Sequence, residues 1–563
     1  MHRVRERPGD GTLKLAVAIL RPLTPSQAPP LVLPHGGPSG PGGIQGGEMG
    51  AAVHLAPLLK RDIVVYDQRG AGLSEPEICP GVHDTTPSSR NLSGVLRQQR
   101  YNEIAQACAA DLRAHGFDPA MFSTVTNAAD LIDLRKTLGY ASWDVFGVSY
   151  GSRVAQEVMR RDPDGVRSAI LSAPVIPGPS QEAEGPLAFQ RVMDHLFAAC
   201  AHQPTCATAF PTLEADFYAA YDDLTVTPVD IVVETAGGAT TVRFDGERMV
   251  RALHGRFARD VSRVPLLITE LRRGDRVHAA RVLLGTAAVS PSNNQLTNLV
   301  GCFESGGPEA LTSVLAAVRA QTRAPFSILL NTEEECPFLQ ARWASAADRE
   351  WVSSDTPTLI ITQEFDDRTP PDHGRRIASH LTHAYVLEEP AKSHGQRPSP
   401  CVEGIILTFL ENPAREPDRS CLASLPPLHF ETKNLDPVTI VVSVASEGAP
   451  ASPAAGTWEG SFPDAPVIYR FDLRVKGAQL TGAINTAAQS FPIFDGRVAG
   501  QTMTFKVTTN DGDRTITFTA RLRGDTIAFT RDVAVRPGGR PGGAALFGVS
   551  GARLFIVTRS AFR

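Results

Sequence analysis

Short apolar runs bounded by turn residues recur along the first third of the chain: Leu31-Val32-Leu33, Ile63-Val64-Val65-Tyr66, Trp143-Asp144-Val145-Phe146 and Arg167-Ser168-Ala169-Ile170-Leu171. Runs of that length predict strands buried on both faces. Leu13 to Leu20 reads as a further strand, and residues 101–115, 127–138 and 152–161 carry apolar positions at helical spacing. Strands alternating with helices predict a doubly wound, mostly parallel sheet. From about 176 to 354 the alternation stops, and a mainly helical pattern with proline-rich breaks replaces it. An insertion at that point is placed to cap the sheet's carboxyl edge. The sheet pattern resumes at Thr358-Leu359-Ile360-Ile361-Thr362, followed by a helix over 372–381 and a strand over 384–388. Beyond Pro453 the period changes to two, in Phe471–Val475, Met503–Val507 and Thr517–Leu522. That pattern predicts an antiparallel meander closed into a small barrel. The expected organisation is therefore a core over 1–175 and 355–430, a cap over 176–354, a linker over 431–455 and a β domain over 456–563.

Composition changes this picture little. The 563 residues allow several domains, and a formal net charge of −5 gives no reason to expect nucleic acid or an anionic membrane surface as partner. No apolar run approaches the ~20 residues that span a bilayer. Nothing in the sequence calls for a metal or organic cofactor, and nothing in it sets an oligomeric state. The eight cysteines (79, 108, 200, 206, 302, 336, 401 and 421) fall into four sequential couples, with no Cys-x-x-Cys pair. This favours an oxidised, secreted or periplasmic protein over a zinc site, with connectivity left open. Met1-His2-Arg3-Val4-Arg5 is basic, but the apolar stretch after it is interrupted by Lys14 and has no small-residue cleavage site. No signal peptide is read in this chain.

Chemistry enters at Gly147-Val148-Ser149-Tyr150-Gly151, between a predicted strand and a predicted helix. That context makes Gly-x-Ser-x-Gly the nucleophile elbow of an α/β-hydrolase, with the Ser149 hydroxyl exposed at the strand's end. The glycine-rich loop from His35 to Gly43 follows a strand directly, where such folds place their second oxyanion donor. The amides of Gly37 and Tyr150 are the expected oxyanion hole, and His35 is expected to pack the loop. Asp67 and Arg69 are expected to brace theirs. Asp366, just past a late strand, and His394, in the loop after the last strand, complete the order Ser, Asp, His that this fold uses.

These residues together resemble the proline iminopeptidase and tripeptidyl aminopeptidase group of serine peptidases. The resemblance covers roughly residues 10 to 425. It is carried by His35-Gly36-Gly37-Pro38, Asp67-Gln68-Arg69-Gly70-Ala71-Gly72-Leu73-Ser74, the Ser149 pentapeptide, Asp366-x-x-Thr369-Pro370 and Ser393-His394-Gly395. It implies an exported peptidase with a Cys401–Cys421 bridge and a Cys302–Cys336 bridge in the cap. Proximity adds Cys200–Cys206 and Cys79–Cys108. The chain departs from the group at Ser39, where a glycine is usual, and at Asp367, where a proline is usual. Two adjacent carboxylates thus compete as the acid, and the spacing to Thr369-Pro370 favours Asp366. The terminal β domain lies outside the resemblance and looks like small lipocalin-like barrels.

The resemblance implies release of one or three residues from a free amino terminus, on a peptide or small-molecule substrate. An α-ammonium needs a buried carboxylate, and Glu304 in the cap is the candidate. An exported esterase or amidase using the same triad is the competing expectation, since fold does not settle substrate. A binding protein acting through its barrel is another.

Overall fold

The computed structural model describes residues 1, 11–24, 26–38, 42–80, 82, 94–178, 183–235, 238–257, 260–284, 295–329, 334–432, 456–461, 468–485, 490–508, 514–523, 526–535 and 555–559. Ser39 and most of the expected linker, 433–455, lie outside them. The chain divides into two compact units, Met1–Leu435 and Asp436–Arg563.

The first unit is built on seven strands. In chain order they are β1 (Val17–Leu20), β2 (Leu31–Leu33), β3 (Ile63–Tyr66), β4 (Trp143–Val148), β5 (Val166–Ser172) and, after the cap, β8 (Thr358–Gln363) and β9 (Ala384–Glu389). Their spatial order is β1-β3-β2-β4-β5-β8-β9, with β1 antiparallel and every other pairing parallel. The apolar runs are explained by burial on both faces. Val64 and Tyr66 of β3 join one core cluster with Leu131, Val154 and Val158 from the helices Thr124–Thr137 and Tyr150–Arg161. Their neighbours Ile63 and Val65 join another with Leu55, Ile405 and Phe409 from the helices Gly47–Leu59 and Pro400–Glu411. A strand with two buried faces has no polar side to show in sequence.

Between β5 and β8 the chain runs through helices Gly185–His202, Leu213–Val226, Gly246–Phe257 and Val264–Arg273, among others. These share a core of their own, including Phe189, Phe217, Leu224, Phe257 and Phe326. The segment also holds a hairpin, β6 (Val229–Thr235) and β7 (Gly238–Phe244), that the mainly helical reading does not include. The helix Gln295–Ser305 packs instead into the core cluster, through Leu296, Leu299 and Val300. Physically, then, the end of the cap segment is part of the sheet's own helical layer.

Four disulfides join Cys79–Cys108, Cys200–Cys206, Cys302–Cys336 and Cys401–Cys421. Three of them close loops of 29, 34 and 20 residues. Restricting an unfolded chain over such spans is worth about 3–4 kcal/mol per bridge.

Among the described residues the second unit is one antiparallel sheet of nine strands: β10 (Gly456–Ser461), β11 (Ile468–Lys476), β12 (Gln479–Asn485), β13 (Ser490–Pro492), β14 (Phe494–Ala499), β15 (Thr502–Thr508), β16 (Arg514–Arg523), β17 (Thr526–Val535) and β18 (Phe555–Arg559). The order β11-β10-β18-β17-β16-β15-β14-β12 closes on itself through β11 pairing with β12, which makes a barrel with β13 attached to β12. Alternate residues such as Met503, Phe505 and Val507 fill its interior, against Ile516 and Phe518.

Candidate active site

Strand β4 delivers Ser149 into a turn so tight that its backbone sits at φ 53°, ψ −127° before the helix Tyr150–Arg161 begins. A positive φ costs a non-glycine residue of order 1–3 kcal/mol and persists only where the surroundings impose it. The flanking glycines show how they do. A Cβ on Gly147 would lie 2.2 Å from the Gly151 carbonyl oxygen, and one on Gly151 would lie 2.1 Å from the Pro34 oxygen. The elbow and the glycine loop are therefore pressed backbone to backbone. Ser152 pins the turn from below, with Oγ donating to the Ser149 carbonyl at 2.6 Å and accepting from the Val175 amide at 2.9 Å.

At this turn three residues from distant parts of the chain meet. Ser149 Oγ lies 2.9 Å from Nε2 of His394. Nδ1 of the same ring lies 3.0 and 2.9 Å from the two carboxylate oxygens of Asp366. Asp366 is fully buried, and burial alone would raise its pKa. The His394 ring, followed by the Thr369 and Arg368 amides at 2.7 and 2.9 Å, outweighs burial and holds the carboxyl below its ordinary range. Thr369 Oγ1 donates a further bond of 2.7 Å and lies 3.1 Å from His394 Nδ1. The sequence reading used Thr369 only as a spacing mark. Its hydroxyl proves to be a direct partner of the acid, and the Asp-x-x-Thr spacing was the available signal.

Asp367 turns the other way. It is fully buried, and neither oxygen accepts a hydrogen bond among the described residues. Across from it stands His254 on the cap helix Gly246–Phe257, with Nε2 3.3 Å from Oδ2. Burial, with Asp366 adding repulsion against the attraction of Arg368 and His394, pushes Asp367 up to about 7. Burial, then the positive Arg368, lowers His254 to about 3. No pattern in the sequence pointed to His254.

The glycine loop sits against the elbow. A Cβ on Gly36 would come within 3.2 Å of Ser149 Cβ. Among the described residues no acceptor takes the amide of Gly37 or of Tyr150, the latter at a helix start where no intrahelical partner exists. A polar chain ties the two segments. The Tyr150 hydroxyl accepts from Asn127 Nδ2 at 2.9 Å, and Asn127 Nδ2 also donates to Gln68 Oε1 at 2.8 Å. Gln68 then donates to the His35 carbonyl at 2.7 Å, while its own amide donates to His35 Nε2 at 3.2 Å. Asn127 gave no sequence signal, being one polar residue inside a helix. Asp67 and Arg69 work as loop braces. Asp67 accepts the Ile44 and Leu73 amides, each at 2.8 Å, and Arg69 makes a buried bidentate pair with Asp130, both bonds 2.7 Å.

Glu304 lies at the end of the helix Gln295–Ser305, nearly buried. Its Oε2 is 3.3 Å from Arg153 Nε, one turn beyond Ser149, and Arg153 also binds Glu157 at 3.2 Å. Glu304 Oε1 has no hydrogen-bond partner among the described residues. The expected amine ligand is thus half engaged by a buried arginine.

Comparison with known proteins adds the following. Residues 29–240 match the alpha/beta hydrolase fold family, and residues 326–421 match the TAP-like protein family. The core is an α/β-hydrolase fold. The two matches together support a hydrolase. No curated protein matches the chain. Among solved structures, the proline iminopeptidase of Mycobacterium smegmatis is 18% identical, covers 72% of this chain and 96% of its own, and has a TM-score of 0.34. A proline iminopeptidase-related protein of Thermus thermophilus is 17% identical, over 68% of this chain and 87% of its own, with a TM-score of 0.27. A thermophilic esterase of Thermogutta terrifontis is 15% identical, over 71% and 89%, with a TM-score of 0.27.

Proposed function

We propose that this hydrolase is an exported serine aminopeptidase that forms an acyl-enzyme on Ser149. The observation that carries the reading is the relay from Ser149 Oγ to His394 Nε2 and from His394 Nδ1 to a buried, ionised Asp366. His394 takes the serine proton as the hydroxyl attacks a carbonyl, then gives it to the leaving amine. Asp366 holds the ring in the tautomer that leaves Nε2 free to accept, and it stabilises the cation that forms. The amides of Gly37 and Tyr150 bind the oxyanion, each donor worth about 3 kcal/mol by analogy with such donors removed elsewhere. Water then attacks the acyl group, with His394 again as base.

The aminopeptidase part rests on Glu304, whose Oε1 is a buried acceptor with no hydrogen-bond partner among the described residues. An α-ammonium placed there gains a charge-assisted hydrogen bond that a capped amino group cannot make. Export is supported by four disulfides, which oxidising compartments preserve. A second reading, an exported esterase or amidase, is favoured by the Arg153–Glu304 pair, because that pair already neutralises the carboxylate.

The test is hydrolysis of Pro-, Ala- and Ala-Ala-Pro- anilides, each with a free and with an acetylated amino terminus, beside simple nitrophenyl esters. Turnover confined to free amines is expected, and the best chain length gives the number of residues released. Equal turnover of the acetylated set would overturn the aminopeptidase reading in favour of the esterase or amidase.

A further inference from the structure

The loop that carries Asp366 is held from the cap side at each of four consecutive residues. Glu364 Oε1 lies 2.7 Å from His195 Nε2, and its Oε2 accepts the Ala391 amide of the hydrolase core at 2.7 Å. Phe365 is buried among the cap's aromatic side chains, in one cluster with Phe189, Phe257 and Phe326, and its ring centroid lies 4.8 Å from that of His195. The Asp366 carbonyl accepts from Arg191 Nη2 at 2.9 Å. Asp367 faces His254. Arg191 and His195 stand four residues apart on the helix Gly185–His202, so they present one face, and that face meets the loop.

The turn's internal bonds, from Arg368 and Thr369 to the Asp366 carboxylate, set the shape of the loop. Core bonds fix part of its position relative to His394, the Phe365 amide donating to the Lys392 carbonyl at 2.8 Å and the Glu364 amide to the Glu389 carbonyl at 3.1 Å. We propose that the cap helix Gly185–His202 supplies the rest, with Arg191 and His195 as positioning residues for the Ser149–His394–Asp366 relay. A cap is ordinarily read as a cover over the substrate. Here it is also a buttress for the acid, and the relay reaches its full alignment while the cap is docked. A displacement of about 1 Å is enough to cost roughly a hundredfold in rate at such sites. The inference rests on Ser149 being the nucleophile.

The experiment is labelling of the full chain with a fluorophosphonate, reading the limiting rate constant, the half-saturating concentration and the fraction labelled at completion. Arg191→Met keeps the aliphatic stem and removes the donor. It is expected to lower the limiting rate constant about tenfold or more, with the other two readouts unchanged. Arg191→Lys, which restores a donor, is expected to recover most of the loss. His195→Leu is expected to act in the same direction, and more weakly. Leu224→Ala opens the cap's own core without removing any hydrogen bond to the loop and serves as the comparison, with labelling at the wild-type rate. The fraction labelled reports folded protein, so a variant that simply fails to fold lowers that fraction and not the rate. Wild-type rates in both Arg191→Met and His195→Leu would overturn the inference, as would equal slowing in Leu224→Ala. A wild-type chain that does not label, or labelling that survives in Ser149→Ala, would instead remove the serine-nucleophile reading and the inference with it.

Discussion

Asp366 and Asp367 are neighbours in sequence, both fully buried, and they look into two different regions of the molecule. One faces the sheet-end loops and the other faces the cap. On the first side the carboxylate collects two amides, a hydroxyl and an imidazole, and it stays ionised. On the second side it collects no hydrogen bond among the described residues, and its pKa climbs to about 7. Burial is the same in both cases. What differs is whether donors are waiting, and a buried carboxylate without donors loses its charge sooner than it pays for desolvation. The pair shows that depth alone does not decide which acid serves a histidine.

The proposed roles separate most sharply at the serine. Ser149→Ala is expected to lower kcat roughly a millionfold, as loss of a relay nucleophile does elsewhere, measured on the best anilide substrate. Next, Asp366→Asn is expected to lower kcat about ten-thousandfold by favouring the wrong imidazole tautomer, whereas Asp367→Asn changes kcat less than tenfold. Reversed magnitudes in that pair would reassign the acid. A smaller effect is expected at Glu304. Glu304→Gln should raise KM for free-amine substrates by about tenfold, the worth of one charge-assisted bond, while leaving kcat and ester hydrolysis alone. An unchanged KM would take Glu304 out of amine recognition.

The smallest effect concerns stability against pH. The raised pKa of Asp367 means the folded chain keeps this proton up to about 7, while the unfolded chain releases it near 3.8. The contribution of the protonated carboxyl is therefore fully present below 3.8 and is lost as pH rises through about 7. His254 works in the opposite sense, its contribution present above 6.5 and lost as pH falls through about 3. Asp367→Asn removes only the first dependence. Its melting temperature relative to wild type is expected to rise steadily between pH 4 and about 7.5. A flat difference would mean that Asp367 titrates normally.

Much of the hydrolase core was legible from local pattern alone. Strands β2 to β5 and β8 announce themselves because both faces are buried, so most positions are apolar and short runs stand out. The elbow was legible for a steric reason: only glycine fits where Gly147 and Gly151 leave 2.2 and 2.1 Å to the next backbone. The order of Ser149, Asp366 and His394 followed from those strand ends. Other features had no local signature. The hairpin β6–β7 is short and sits among helices, and among its described side chains Ile231, Val242 and Phe244 are buried.

The sequence by itself determined the strands and the turn that exposes Ser149, because each follows from sterics and burial within a few residues. Only the tertiary structure decided that Arg153 takes half of Glu304, and that His254, Arg191 and His195 reach the acid loop from the cap. Those outcomes depend on which donors arrive from segments more than a hundred residues away, and periodicity carries no record of them.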